Sequence, residues 1–234
     1  MNYWGGANVR DSGELFLMNF LKDQLKDKTA PVMFDVGANL GQYLSYLSKY
    51  FPNADIHCFE PSKFTFEKLE QTRKNLPNQE NIYLHFHGFG SVEESKTLFL
   101  SNYLAATASV YDGVVEGSKE ESQISETISI KTIDGFCKEN GILSIDFLKI
   151  DVEGHELQVL NGAKHMIEYG GIAHIQFEFT KCNIESKSFF KDFYDLLDEK
   201  YSLYRMLPSG MREVKKYENH LEVFAEANFY AKLN

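Results

Sequence analysis

The 234-residue chain predicts an α/β fold, a mostly parallel sheet with helices on both faces. Three observations carry that expectation. Short apolar runs alternate with amphipathic stretches of about a dozen residues, the pattern of βαβ units. The run Ile145–Ile150 is nearly continuous in apolar side chains, as in a strand buried on both faces. The run Val32–Val36 ends directly in Gly37, as a strand does when it turns into a helix.

The elements follow in order. Leu15, Met18, Leu21 and Leu25 recur at helical spacing with Lys22, Asp23 and Lys26 between them, and Asp11 or Ser12 stands where an N-cap belongs. Pro31 closes the charged linker after this helix. Val32–Val36 is the first strand, and Leu40–Phe51 a helix stopped by Pro52-Asn53. Ile56–Phe59 is a strand closed by Glu60-Pro61. Ser62 then opens a helix to about Leu76, with Phe66 and Leu69 on its core side. Ile82–Phe86 is a third strand. Leu98–Leu100 and Thr127–Ile130 are strands flanking a variable loop. Ile133–Asn140 is a helix that Gly141 stops, and Ile145–Ile150 is the buried strand. Glu156–Ile167 is a helix ended by Gly170-Gly171, Ile172–Phe179 a strand and Phe189–Lys200 a helix. Ser202–Met206 and Leu221–Ala227 are late strands. Residues 1–30 thus form an N-terminal helical segment, and residues 31–234 one domain. The amphipathic first helix is open to packing on that domain or on a second subunit, so a homo-oligomer stays an alternative.

Composition narrows the function classes. A formal charge of −10 disfavours general binding to a phosphate backbone. No apolar run approaches the ~20 residues that span a bilayer. The start, Met1-Asn2-Tyr3-Trp4-Gly5-Gly6, lacks the basic and apolar regions of a secretory signal. Cys58, Cys137 and Cys182 are widely separated and form no CxxC pair, which argues against a disulfide framework or zinc site. The expected setting is the reduced cytoplasm.

In a parallel sheet, ligands sit beyond the carboxyl ends of the strands, where the strand order reverses. Polar groups just after strands are therefore the candidates. The first strand ends Asp35-Val36-Gly37-Ala38-Asn39-Leu40-Gly41. Gly37 and Gly41 permit a tight turn and close ligand approach. Glu60 ends the next strand, where a carboxylate can accept two hydrogen bonds from a ribose diol. Together they predict an adenosine-type ligand. The dinucleotide fingerprint GxGxxG is not met, because Asn39 stands between the glycines and Gln42 occupies the third position. Asp35 would repel a diphosphate and suits a cationic group, such as the amino group of a methionine moiety.

A second cluster, Asp151, Glu153 and His155, follows the buried strand. Three ionisable groups at one turn are costly to hold unless solvent or a ligand meets them. Gly154 permits the sharp turn, and Glu156 complements the following helix N-terminus. Weaker signals complete the reading. His174, Gln176 and Glu178 share one strand face, and Glu178 is near enough to its end to reach a second substrate. His85 and His87 have the spacing of an ordinary strand face. Residues 116–121 read as a solvated loop, Lys215-Lys216 as a surface pair, and Ser101–Ser122 as a lid.

The segments Asp35-Val36-Gly37-Ala38-Asn39-Leu40-Gly41-Gln42-Tyr43, Phe59-Glu60-Pro61-Ser62 and Ile145-Asp146-Phe147-Leu148-Lys149-Ile150-Asp151-Val152-Glu153-Gly154-His155-Glu156 resemble the motifs of FkbM-type methyltransferases. The resemblance spans about residues 10 to 230, and the third motif is the most distinctive. It implies a Rossmann-like seven-stranded sheet with an antiparallel last strand, and S-adenosylmethionine as cofactor. It also implies O-methylation of a small-molecule or carbohydrate acceptor. Motif matching carries Asp35, Gly37, Asn39 and Gly41 to the methionine end of the cofactor and Glu60 to its ribose. Phe89 and Ser91, in the segment after the third strand, are the expected adenine contacts. Methyl transfer to a hydroxyl needs alignment and a proton acceptor, which assigns Asp151 or His155 as base and Glu153 as the group orienting the acceptor. A divalent ion on Asp151 and Glu153, magnesium or calcium, is a less favoured alternative. Two other classes stay open: a nicotinamide-dependent oxidoreductase, against which the Gly37–Gly41 spacing and Asp35 argue, and a non-catalytic nucleoside-binding protein.

Overall fold

A computed structural model describes residues 12–100, 108–114 and 124–234. The first half runs α1 (Glu14–Gln24), β1 (Val32–Val36), α2 (Gln42–Tyr50), β2 (Asp55–Phe59), α3 (Lys63–Lys74), β3 (Ile82–His85), β4 (Gly88–Phe89), β5 (Glu94–Leu100), β6 (Ala108–Ser109) and β7 (Ile124–Lys131). The second half runs α4 (Ile133–Asn140), β8 (Phe147–Ile150), α5 (Glu156–Asn161), α6 (Lys164–Glu168), β9 (His174–Phe179), α7 (Cys182–Glu185), α8 (Phe190–Leu197), β10 (Tyr201–Leu207), β11 (Gly210–Glu213) and β12 (Ala227–Leu233).

The main sheet has the order β11-β10-β12-β9-β8-β1-β2-β3. Strands β1, β2, β3, β8 and β9 pair in parallel. The last strand, β12, lies antiparallel between β9 and β10. The expected seven strands are therefore all present, and the short β11 hairpins onto β10 as an eighth. A second sheet, β4-β7-β5-β6, grows out of the chain between β3 and α4. Chain order reverses between β1 and β8, so the switch point lies at their tips.

Burial explains the sheet. Phe34, Phe59, Leu148 and Phe177 are fully buried, each contributing roughly 1.5–3 kcal/mol through apolar area removed from water. Helices cover both faces because each carries an apolar stripe. Thr132 Oγ1 accepts from Gly135 N to start α4, and Gly141 ends it in the left-handed region at φ 67°. In α1, Leu17, Met18 and Leu21 are the buried residues, rather than Leu15, and they join one cluster with Leu44, Phe147 and Tyr230. The N-cap is Gly13, not Ser12; Asp11 lies outside the described residues.

Four elements depart from expectation. The helix expected over Glu156–Ile167 breaks at Gly162 and Ala163. Gly162 sits so close to Gly90 that an added Cβ would be 2.0 Å from Gly90 O. The late strand expected at Leu221–Ala227 is instead a short 3-10 turn at Asn219–Leu221, and β12 starts at Ala227. Strands β5 and β7 run well beyond Leu98–Leu100 and Thr127–Ile130. Much of the expected lid Ser101–Ser122, and all of 116–121, lies outside the described residues. Among those described, no helix is long and apolar enough to cross a membrane.

Candidate active site

The turn after β1 is built on left-handed residues: Gly37 at φ 81°, Asn39 at φ 47° and Gly41 at φ 84°. Gly37 N and Ala38 N both donate to Phe59 O, which locks the turn to the end of β2. A Cβ at Gly37 would lie 1.8 Å from Asp151 O, so only glycine lets the tips of β1 and β8 meet. Gly41 serves packing instead: it caps α2, and a Cβ there would press on Leu69 and Thr72 of α3.

Glu60 is 6% exposed and faces the cleft. Its Oε2 accepts from Asn39 N at 2.9 Å. Its Oε1 accepts from Ser62 N at 2.9 Å and from Thr65 Oγ1 at 2.7 Å. Burial raises its pKa above the ordinary value, and these hydrogen bonds work against that rise. With a single donor on Oε2 among the described residues, that oxygen retains capacity for a donor from a ligand. Glu126 of β7 accepts from Ser62 Oγ and Lys63 N, tying the second sheet to the start of α3.

A buried lysine organises the other end. Lys149, in the middle of β8, places Nζ 3.4 Å from Asp35 Oδ1 and 3.2 Å from Asp151 Oδ2, over the ring of Tyr43. Burial alone would lower its pKa; the carboxylates of Asp151, Asp35 and Glu14 outweigh burial and hold it raised. Asp35 is fully buried, its pKa raised by that burial, and it does not line the cleft. The carboxylate of Asp35, expected at a ligand amino group, is paired with Lys149. Glu14 of α1 accepts from Gln176 Nε2 at 3.1 Å, and Gln176 also accepts from Tyr43 Oη and donates to Asn228 Oδ1. His174 is paired with Tyr230 Oη. Gln176 and His174 are thus satisfied structural groups.

The acidic turn wraps around Glu156, whose Oε1 accepts from Val152 N and Gly154 N. That brace accompanies a left-handed Glu153 at φ 52° and Gly154 at φ 100°. Burial, then the charge of Asp151, pushes the Glu153 carboxyl up to about 7, and Cys182 Sγ donates to its Oε2 at 3.2 Å. Burial pushes Glu156 up to about 7 as well. His155 is 5% exposed; burial, with Lys96 nearby, lowers it to about 4, and Tyr111 Oη lies 2.9 Å from its Nδ1. The pairing of Ile150 with Phe177 sets Asp151 beside Glu178 on the next strand. Burial, followed by Asp151 and Glu153, raises the Glu178 carboxyl well above its ordinary value.

Several of these groups line one cleft of about 770 Å³, part of it open to solvent, within the range of small-molecule sites. One wall holds Gly37, Asn39, Glu60, Asp151, Glu153 and His155. The other is apolar, with Phe89 and with Leu98, Ile128 and Ile130 of the second sheet. Of the expected site residues, Asp35, Gly41 and Ser91 are off the lining, and Ser91 is exposed to solvent. Lys149, Glu14 and Tyr111 escaped the sequence reading. Only Lys149 left a signal, a charge inside an otherwise apolar strand, which demands a partner. His85 does stand near His57, with Nδ1 of His57 3.0 Å from Nε2 of His85 and the rings nearly parallel, a hydrogen-bonded pair. Among the described residues, no three His, Cys, Asp or Glu side chains converge as metal ligands.

Comparison with known proteins places this geometry in context. The model of the methyltransferase FkbM domain matches residues 35–206. The hexuronic acid methyltransferase AglP of Haloferax volcanii is 28% identical over 163 residues, covering 68% of this chain and 61% of that protein. The 2-O-methyltransferase NoeI of Sinorhizobium fredii is 25% identical over 160 residues, covering 61% of each. The chain thus spans 61% of the length of both relatives. Among solved structures, a methyltransferase FkbM from Methylobacillus flagellatus KT superposes with a TM-score of 0.54 at 14% identity, over 87% of this chain and 44% of that one, a likeness of fold. The family match extends from the acid that ends β1 through both strand-tip clusters to β10, and the chain belongs to the FkbM methyltransferase domain family.

Proposed function

We propose that the chain is an S-adenosylmethionine-dependent O-methyltransferase acting on a hydroxyl of a small or glycan-linked acceptor. The observation that carries this reading is the placement of Glu60. It stands at the tip of β2, on the lining of a cleft that runs from Asp151 past Gly37 to Phe89, with acceptor capacity left on Oε2. The cleft's ends differ in chemistry as the cofactor's ends do. Asp151 and Glu153 suit a charged sulfonium amino acid, and the apolar wall around Phe89 suits a purine. The family membership and the 2-O-methyltransferase and hexuronic acid methyltransferase among the relatives support the transferred group and an oxygen acceptor.

Bound there, the cofactor supplies an electrophilic methyl group on sulfur. Glu60 holds the ribose, and the Gly37–Asn39 turn allows close backbone approach. Lys149 fixes Asp151 at the β8 tip, where Asp151 orients the acceptor for an in-line approach. Glu153 takes the hydroxyl proton. A carboxyl pushed up to about 7 is a better base at neutral pH than an ordinary one. His155, lowered to about 4 and nearly buried, is poorly suited to that step.

The test combines binding and transfer. Calorimetry with S-adenosylhomocysteine should give saturable heat. Incubation with methyl-labelled S-adenosylmethionine and a panel of hydroxylated acceptors, free sugars and glycan fragments included, should move label onto oxygen. Absence of binding sinks the reading. Binding with label transferred only to amines overturns O-methylation alone.

A further inference from the structure

Among the described residues, a histidine ring nitrogen in the cleft wall has no hydrogen-bond partner. His155 borders the cleft, its Nδ1 is engaged by Tyr111 Oη at 2.9 Å, and its Nε2 is buried without a hydrogen bond. A buried ring nitrogen left unsatisfied is costly. The ring sits at the start of α5, four residues beyond Asp151, and its Nε2 lies against Gly90. A Cβ added at Gly90 would lie 3.1 Å from Nε2, so the glycine keeps a side chain off that nitrogen. Gly90 directly follows Phe89, and the cleft lining there is apolar, with Phe89, Leu98, Ile128 and Ile130. Such a surround suits a flat heteroaromatic ring with hydrogen-bonding nitrogens on its edge.

Tip order gives the direction. Along the sheet the tips run β8, β1, β2, β3, carrying Asp151, Gly37, Glu60 and then the Gly88–Phe89 strand. A nucleoside with its sugar at Glu60 and its charged tail toward Asp151 therefore points its base to Phe89 and Gly90. We propose that His155 is a cofactor-reading residue: its Nε2 hydrogen-bonds the edge of the nucleobase, and Tyr111 holds the ring through Nδ1. This rests on the adenosyl cofactor proposed above. Tyr111, on the short described segment 108–114, is then a positioning residue, and Ser109 Oγ, donating to Glu153 O at 2.8 Å, fastens the same segment to the acidic turn. The imidazole is neutral at physiological pH, because burial lowers it to about 4. A neutral ring offers one donor and one acceptor, and Tyr111 decides which of them Nε2 presents.

The experiment is calorimetry on the full chain with two probes, S-adenosylhomocysteine and, by competition, adenosine, which has no homocysteine tail. His155→Ala should weaken both by about tenfold or more. His155→Gln should recover part of the loss, and Tyr111→Phe should weaken both by a smaller factor. Thermal unfolding without ligand checks each variant. If His155→Ala does not fold, His155→Gln and Tyr111→Phe carry the comparison, and wild-type affinity in both overturns the proposal. Wild-type binding of S-adenosylhomocysteine with His155→Ala within about twofold means that a fixed water serves Nε2; the proposal falls and the cofactor reading stands. A loss for S-adenosylhomocysteine with none for adenosine places His155 on the tail and overturns the nucleobase contact. No binding by the wild type overturns the cofactor reading and this proposal with it.

Discussion

Side chains at the strand tips are held in two different ways, and the difference sets what each can do. Glu60 is held by hydrogen bonds from neutral donors, Asn39 N, Ser62 N and Thr65 Oγ1, and faces the cleft. Glu60→Gln is expected to weaken S-adenosylhomocysteine by roughly 1.5–3 kcal/mol, the worth of a charged hydrogen bond. Calorimetry reads this directly, and an unchanged dissociation constant removes Glu60 from the ribose. Asp35 and Asp151 are held by the buried Lys149 instead. Among the described residues no cation stands within ion-pair distance of Glu153, and burial and Asp151 push it up to about 7. A base must be deprotonated to act, so methyl transfer should fall as pH drops through about 7. Glu153→Gln should slow turnover and abolish that limb; a variant that retains the limb assigns it to another group.

The histidine pair at β2 and β3 gives a separate residue-scale expectation. Burial lowers His57 and His85 to about 4 from 6.5, so the unfolded chain takes up protons that the folded chain refuses. Their contribution is complete above about 6.5 and is lost as pH falls toward about 4. His85→Gln should show a smaller loss of urea stability between pH 7 and pH 5 than the wild type. An equal loss in both proteins contradicts the assignment.

Strands and turns show where sequence logic is strong. β1, β2, β3, β8 and β9 were legible because each is a short run rich in apolar and aromatic side chains that alternates with helical stretches. At the antiparallel margin β10 was legible as Ser202–Met206, but β12 was not. β12 carries Asn228 and Lys232 among its apolar residues and pairs with strands far away in sequence. The partly apolar stretch before it mimics a strand, yet only a short 3-10 turn forms there. β4 and β11 are too short to leave a periodic signal. The Gly37 turn was legible, though its reason was not: it exists for the contact of two tips as much as for a ligand. Gly37→Ala should cost on the order of 2–4 kcal/mol, through a left-handed alanine and the clash with Asp151 O. Urea unfolding measures this, and a loss under about 0.5 kcal/mol would mean that the tips move apart freely.

At the scale of the molecule, one cleft is assembled from parts far apart in sequence. The main sheet brings residues 37, 60 and 151 to neighbouring tips, and the second sheet adds an apolar wall. α1 is tied in by Glu14, which bonds Gln176 and faces Lys149. The sequence motifs marked the polar wall, because glycines and carboxylates after strands follow a general rule. They did not mark the apolar wall, since Leu98, Ile128 and Ile130 look like any strand residues until the second sheet folds over. Nor could they separate residues on the cleft lining from those behind it, such as Asp35, which is buried against Lys149. The most direct measurement is a crystal structure with S-adenosylhomocysteine bound. The expected map shows both ribose hydroxyls within hydrogen-bond distance of the Glu60 carboxylate and the homocysteine tail directed to Asp151. A nucleoside lodged away from the tips of β1 and β2, or a Glu60 that touches no sugar hydroxyl, contradicts it.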